Sequence, residues 1–423
     1  MASSKLTTWV QNLLMTVLSV GTTLVVAEVA LRVVYPKYEF AAEAQFQPDS
    51  LRITTRPANA RHTVHHPDNG RPHLVIYNNH GMRQHRDFSA GELAETVNVG
   101  FFGDSYMENL GMPGPYSFTE PLDYLLNQSG RRFNVLNFGQ SGYGTDQSFL
   151  AYRYSELNAT LDHVFYVFCI NDIRNIYEND LFFLDDADEL QRNPALATPW
   201  WIRLVSRLHL TYLVRDGFYR IFPHKNSWKG FDARVLQDRP AEKHVRKRKR
   251  SDRARSIEAN ILEGKENTDV TRALAVFEVL LEQWRDLASA NGAEFSIVLL
   301  PTGYGGLVRE LIPPDIRVID LRALFDDRIP DYRYDDWRFE NDRHWAEAAN
   351  RLAASIFYRE IAGRVALESL AEGEIDRALY AYYSAFDYGW MPSADGAAET
   401  AAQQELKRIA SKYAALEKVA APD

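Results

Sequence analysis

Ser105 stands directly after Gly103 and Asp104 at the end of a short apolar run, where a hydroxyl could act as a nucleophile. A serine hydroxyl is a weak nucleophile at neutral pH. It needs a positioned base and donors aimed at the oxyanion that forms on attack. A base is available far downstream in Asp342-Arg343-His344-Trp345. A carboxylate two residues from an imidazole can hold one ring nitrogen while the other faces a serine. The stretch Asn137 to Thr145 reads N-F-G-Q-S-G-Y-G-T. Its glycines permit unusual backbone angles and close approach, so the Gly142 N–H is a candidate oxyanion donor. The side-chain amide of Asn171, followed by Asp172, is another. Each residue also has a plainer reading. Ser105 and Asp342 suit helix caps, Asn171-Asp172 suits a turn, and glycines suit any tight strand-to-helix connection. A metal held by Asp342 and His344 is set aside, because two ligands in one short stretch need partners at suitable spacing.

These residues need elements that bring them together. Apolar runs at Val97–Phe102, Phe133–Phe138, His163–Ile170, Phe295–Leu300 and Arg317–Leu321 alternate with helical patterns at Phe118–Asn127, Asp146–Leu157 and Val270–Ala290. Short buried strands alternating with helices predict an α/β fold with a parallel sheet covered on both faces. In such sheets the ligand crevice lies beyond the C-terminal strand ends. Gly103-Asp104-Ser105, Gly139 to Gly142 and Asn171-Asp172 all fall there. A helix is expected from after His344 to Ile361, burying Trp345, Ala349, Leu352 and Ile356.

Taken in order, F-F-G-D-S, N-F-G-Q-S-G-Y-G-T, C-I-N-D and D-R-H-W resemble the four blocks of the SGNH/GDSL hydrolase superfamily. The resemblance spans roughly residues 75 to 362, apart from an insertion. Tyr77-Asn78-Asn79-His80-Gly81-Met82-Arg83 is similar to a segment ahead of the serine block in anchored bacterial members. The resemblance implies a three-layer α/β/α, flavodoxin-like fold and ester chemistry without cofactor or metal. It implies Ser105 as nucleophile, His344 as base and Asp342 as the acid that orients it. The Ser105 N–H, the Gly142 N–H and the Asn171 amide would form the oxyanion hole. Many relatives place the acid three residues before the histidine, where this chain has Asn341. Asp342 lies two before, as in anchored and transferase-like relatives. The reaction expected is that of a serine esterase or deacylase acting through an acyl-enzyme on an extracytoplasmic glycan or lipid ester. The alternatives are an O-acetyltransferase acting on a polysaccharide, and a non-catalytic envelope scaffold. Alginate-type acetyltransferases carry the Asp-x-His block ahead of the serine block, whereas here Ser105 comes first.

The rest of the chain sets the context. Leu13 to Leu31 is apolar or small except for Thr, Ser and Glu28, and the pattern runs on to Pro36. About 20 such residues span a bilayer as a helix. A signal peptide cleaved before Glu28 is the competing reading, and continuation past Glu28 favours an uncleaved anchor. The expected organisation is a tail (1–8), a transmembrane anchor (9–35) and an irregular extension (36–95). A catalytic domain (96–365) with an insertion (176–265) and C-terminal helices (366–423) follow. The insertion carries Trp200, Trp201 and a basic run, Lys243 to Arg255, expected as a solvated loop or a contact to anionic lipid or glycan. The body is expected outside the cytoplasm of a bacterium, on a single-pass inner-membrane anchor. With 423 residues and 46% hydrophobic content the chain can build a large core, and a net charge of −9 gives nucleic acid no overall attraction. One cysteine, Cys169, rules out an intrachain disulfide.

Overall fold

The computed structural model describes residues 2–34, 47–49, 53–193, 208–211, 213, 256–302, 305–328, 337–367 and 370–384. Helix α1 (Ala2–Val34) comes first. Two antiparallel pairs follow, β1 (Gln47–Asp49) with β2 (Ile53–Thr55), and β3 (Arg61–His65) with β4 (Pro72–Ile76). After the short α2 (Ala90–Leu93) come β5 (Val97–Gly103), α3 (Ser105–Glu108), α4 (Thr119–Asn127), β6 (Phe133–Asn137) and α5 (Thr145–Arg153). Next are β7 (His163–Phe168), α6 (Asn171–Asn179) and a hairpin of β8 (Phe182–Leu184) and β9 (Leu190–Arg192). The chain continues through α7 (Thr268–Ala290), β10 (Glu294–Leu299), α8 (Gly305–Leu311), β11 (Arg317–Asp320) and α9 (Leu321–Arg328). It closes with α10 (Glu347–Arg364) and α11 (Glu372–Ser384).

The five apolar runs are the five strands of one sheet, ordered β11-β10-β7-β5-β6, with every neighbouring pair parallel. Side chains alternate faces along a strand, so each strand feeds two cores. Phe102, Leu136, Tyr166, Phe168, Ile297 and Leu299 pack on one face with Trp284 of α7 and the inner residues of α5 and α6. Phe101, Val135, Phe165, Val167 and Val298 pack on the other with α4, α10 and α11. Each fully buried Val, Leu or Phe contributes roughly 1.5–3 kcal/mol, so both faces must be covered. That explains why the strands read as near-continuous apolar runs. Ala349 and Ile356 line the buried face of α10 as expected, while Leu352 is half-buried. Trp345 is buried too, but lies before α10, in an isolated antiparallel bridge with Arg338.

The stretch expected to be irregular is ordered between residues 61 and 76. There β3 and β4 form a hairpin in which His62 pairs with Val75 and Val64 with His73. Its inward positions include the buried His62 and His73, so the alternation is not apolar and carries no strand signal. Within the expected insertion, the described residues include β8 and β9, which lie against α7, and Ile257 and Ile261, which join the core. Trp200, Trp201, the run Lys243 to Arg255 and the tail beyond Ser384 lie outside the described residues.

Trp9–Val34, within α1, is long and apolar enough to cross a membrane. Its Leu14, Met15, Val17, Leu18, Val25 and Val33 side chains are exposed. Near its end, Glu28 pairs with Arg32 at 2.7 Å and accepts the backbone N–H groups of His209 (3.0 Å) and Leu210 (2.9 Å).

Candidate active site

Strands β5, β6 and β7 end in step. Phe101 pairs with Asn137 on one side and Phe165 on the other, and Gly103 pairs with Val167. The segments that follow therefore emerge side by side. Beyond β5 the chain turns sharply at Gly103, whose φ is +156° and whose added Cβ would lie 2.7 Å from the Val167 carbonyl oxygen. Asp104 then caps α3, with its Oδ1 accepting the Tyr106 N–H at 2.9 Å. Ser105 is the first residue of that helix, where a backbone N–H has no acceptor within the helix.

The Ser105 Oγ lies 2.6 Å from His344 Nε2, and His344 Nδ1 lies 2.5 Å from Asp342 Oδ1. The same Asp342 oxygen accepts the His344 backbone N–H at 3.1 Å. An ionised carboxylate only accepts, so Nδ1 carries its proton and Nε2 is left to accept from the serine. The bond to His344 holds the Asp342 carboxyl below its ordinary 3.8, which keeps it ionised. Burial disfavours charge on His344, but the bond to Asp342 and the charges of Asp342, Asp104 and Glu108 prevail. The imidazole's pKa is raised above 6.5.

The histidine loop is braced from several sides. The Tyr106 hydroxyl donates to the Arg343 carbonyl at 2.8 Å, and its ring lies 4.9 Å from the His344 ring. Backbone bonds from Phe339 to His344 and from Ala346 to Trp337, both 3.0 Å, fold the loop back on itself. Asp68, from the extension, accepts the N–H groups of Glu340 (3.0 Å) and Asn341 (2.8 Å). Asn341 is thus used for loop support, and the acid on the imidazole is Asp342.

Gly139 lies against the serine turn. A Cβ there would stand 2.2 Å from Met107 Cβ and 2.7 Å from the Glu108 nitrogen, so only glycine admits this approach. Gly142 has a φ of +82°, a left-handed angle that glycine adopts without strain. Its carbonyl accepts from the Asn175 amide at 3.2 Å. The Asn171 amide nitrogen donates to Asp104 Oδ2 at 2.9 Å, which pins it beside the serine turn and leaves its second hydrogen for another acceptor. The structure therefore brings Ser105, His344 and Asp342 into one hydrogen-bonded line and tethers Asn171 to the residue before the serine.

Sequence reasoning placed Asp104 at the strand end without giving it a role, and passed over Glu108. Both are buried and charged, and both organise the serine turn. The signal was their position: acids on either side of a serine that follows a strand. Among the described residues, no group of three or more His, Cys, Asp or Glu is arranged to hold a metal.

No family model matches the chain, and no curated protein matches it either. Solved structures with a similar course include LAE5, an alpha/beta hydrolase from the metagenome of Lake Arreo. It is 14% identical with a TM-score of 0.32, covering 63% of this chain and 95% of that one. Axe2, an acetylxylan esterase from Geobacillus stearothermophilus, is 13% identical with a TM-score of 0.33, covering 66% and 99%. The lipase Lip_vut3 from a goat rumen metagenome is 14% identical with a TM-score of 0.30, covering 63% and 98%. Likeness at this distance carries no argument about chemistry.

Proposed function

We propose that this chain is a membrane-anchored serine esterase of the SGNH/GDSL type, acting on ester-linked acyl groups of an extracytoplasmic glycan or lipid. The observation that carries the reading is the continuous line Asp342–His344–Ser105, with contacts of 2.5 and 2.6 Å. The strand order supports it. Numbered along the chain, the sheet runs 2-1-3-4-5, the flavodoxin-like order, and the serine sits at the reversal between β5 and β7. In this reading α1 is an uncleaved span in a bacterial inner membrane, with the body on the outer side.

In this reading the reaction has two halves. Ser105 Oγ attacks the ester carbonyl carbon as its proton passes to His344 Nε2. The negative oxygen that forms is held by the Ser105 N–H, the Gly142 N–H and the free hydrogen of the Asn171 amide. Collapse breaks the bond to the alcohol, which leaves with the proton from Nε2. Water then gives its proton to Nε2 and attacks the acyl-enzyme, releasing the acid and restoring the serine. A sugar hydroxyl in place of water would make the same enzyme a transferase. Each oxyanion donor is worth about 3 kcal/mol of barrier.

The test uses the full chain in detergent or lipid, labelled with a fluorophosphonate and assayed on a panel of acyl esters and acetylated glycans. Label and turnover are expected in the wild type and absent in Ser105→Ala. Free acid measured against acyl transfer to an oligosaccharide separates hydrolase from transferase. A wild type with neither label nor turnover would make the protein a scaffold that keeps the fold.

A further inference from the structure

Glu108, three residues after Ser105, is fully buried, and its carboxylate is hydrogen-bonded to Arg56, Tyr77 and Ser141. Both its oxygens are used. Oε1 accepts from Arg56 Nε at 2.5 Å and from the Tyr77 hydroxyl at 2.6 Å. Oε2 accepts from Arg56 Nη2 at 2.5 Å and from the Ser141 backbone N–H at 2.7 Å. Burying an ion pair rarely adds stability over apolar residues of the same volume, because desolvation offsets the attraction. A pair kept in such a place calls for another reason, and its four contacts supply one.

We propose that Glu108 is a positioning residue that ties the Ser105 turn to Ser141, and so to the Gly142 N–H bonded to the Ser141 carbonyl carbon, with Arg56 of the extension holding it in place. This rests on the reading of Ser105 as nucleophile given above. The tie matters because an oxyanion donor acts only when fixed relative to the attacking oxygen. One carboxylate spans both halves of that distance: covalently it belongs to α3, and by hydrogen bond it holds the loop after β6. The extension completes the brace. The Arg56 N–H donates to Gln140 Oε1 at 3.1 Å, and the Gln140 N–H donates to the Gly103 carbonyl at 3.0 Å. Arg83 donates to the carbonyls of Glu108, Asn109 and Met112, closing the far end of the turn. Arg56 also keeps the acid ionised. Burial alone would raise its pKa, and the arginine with the other donors holds it down to about 2.

Two double variants of the full chain separate the tie from the charge. Arg56→Gln/Glu108→Gln removes both charges and keeps an acceptor for the Ser141 N–H. Arg56→Met/Glu108→Leu removes the acceptor as well. In the second, amide hydrogen exchange across residues 139–144 should rise at least about tenfold while the sheet stays protected. Its kcat should fall at least about tenfold, with KM within about twofold. Affinity for a boronic acid, which forms a tetrahedral adduct on the serine, should fall in parallel with kcat. The Gln pair should recover most of the exchange protection and most of kcat. Loop exchange and kcat unchanged in the Met/Leu pair would overturn the proposal. In case that pair does not fold, exchange in the wild type decides it. The Ser141 amide should be protected well beyond the Gly142 amide, and equal rates would overturn the tie. Exchange needs no turnover, so a wild type that neither labels nor hydrolyses would sink the esterase reading while the tie is still judged.

Discussion

At the scale of single residues, the proposed base and its proposed acid set the pH at which the esterase reading expects turnover. His344 must be neutral to take the serine proton, and its surroundings raise its pKa above 6.5. Activity against pH should therefore rise along a limb centred above 6.5, low on the acid side where the imidazole is charged. Asp342→Asn removes the bond and charge that raise it. That limb should shift to lower pH in a profile of kcat/KM, with activity down on the order of 10²- to 10⁴-fold. A second titration lies away from the site. His62 is buried with neither ring nitrogen partnered, and burial, with Arg56 nearby, pushes its pKa down to about 3. A base whose folded pKa lies below its unfolded value stays neutral while the unfolded chain takes a proton. Stability is then lost as pH falls from 6.5 towards 3. His62→Phe removes this linkage. The variant's gain over wild type in denaturant unfolding should be larger at pH 5 than at pH 8 by about 2 kcal/mol. The comparison is made by difference because Asp146, pushed up to about 7 by burial, works in the opposite direction across the same range. The convergence of Ser105, His344 and Asp342 was legible in sequence because a serine after a strand, followed far downstream by Asp-x-His, is a rare combination in a fixed order. Glu108 and Arg56 carried no such sign. The two lie 52 residues apart, and a charged pair reads as solvated surface until burial is known.

At the scale of elements, the site depends on how closely two turns approach. The loop after β6 presses Gly139 against Met107 and Glu108 of α3, at distances that leave no room for a methyl group. Gly139→Ala must push that loop or the nucleophile turn aside. It should cost at least about 2 kcal/mol by thermal or denaturant unfolding, and turnover should fall more than the lost folded fraction explains. The strands were legible as elements because burial on both faces writes a continuous apolar run. Their order is not written in the strands themselves, since no residue type records which strand lies beside which; the flavodoxin-like expectation came only through the resemblance. The β3–β4 hairpin was missed for a different reason: its inward positions hold His62 and His73, and a buried histidine has the same letter as an exposed one.

At the scale of the whole molecule, the boundary drawn at residue 96 divides what the structure keeps together. Arg56, Asp68, Tyr77, Arg83 and Gln84 all reach residues beyond that boundary. Gln84 alone bonds the Val135 carbonyl at 2.6 Å and the Asn137 N–H at 3.0 Å, on the edge strand β6. A chain beginning at residue 36 should fold with full fluorophosphonate reactivity. One beginning at residue 96 loses Arg56, Tyr77 and Arg83 from around Glu108 and bares the groups they cover, and should be insoluble or unreactive. Equal labelling of the two would show that the extension is dispensable. The proposed base and nucleophile stand 239 residues apart along the chain. A nascent polypeptide halted before Asp342 would thus carry the hydroxyl and nothing to ionise it. On the esterase reading, the protein is latent throughout its synthesis and becomes reactive only once the segment that carries Asp342 and His344 has docked.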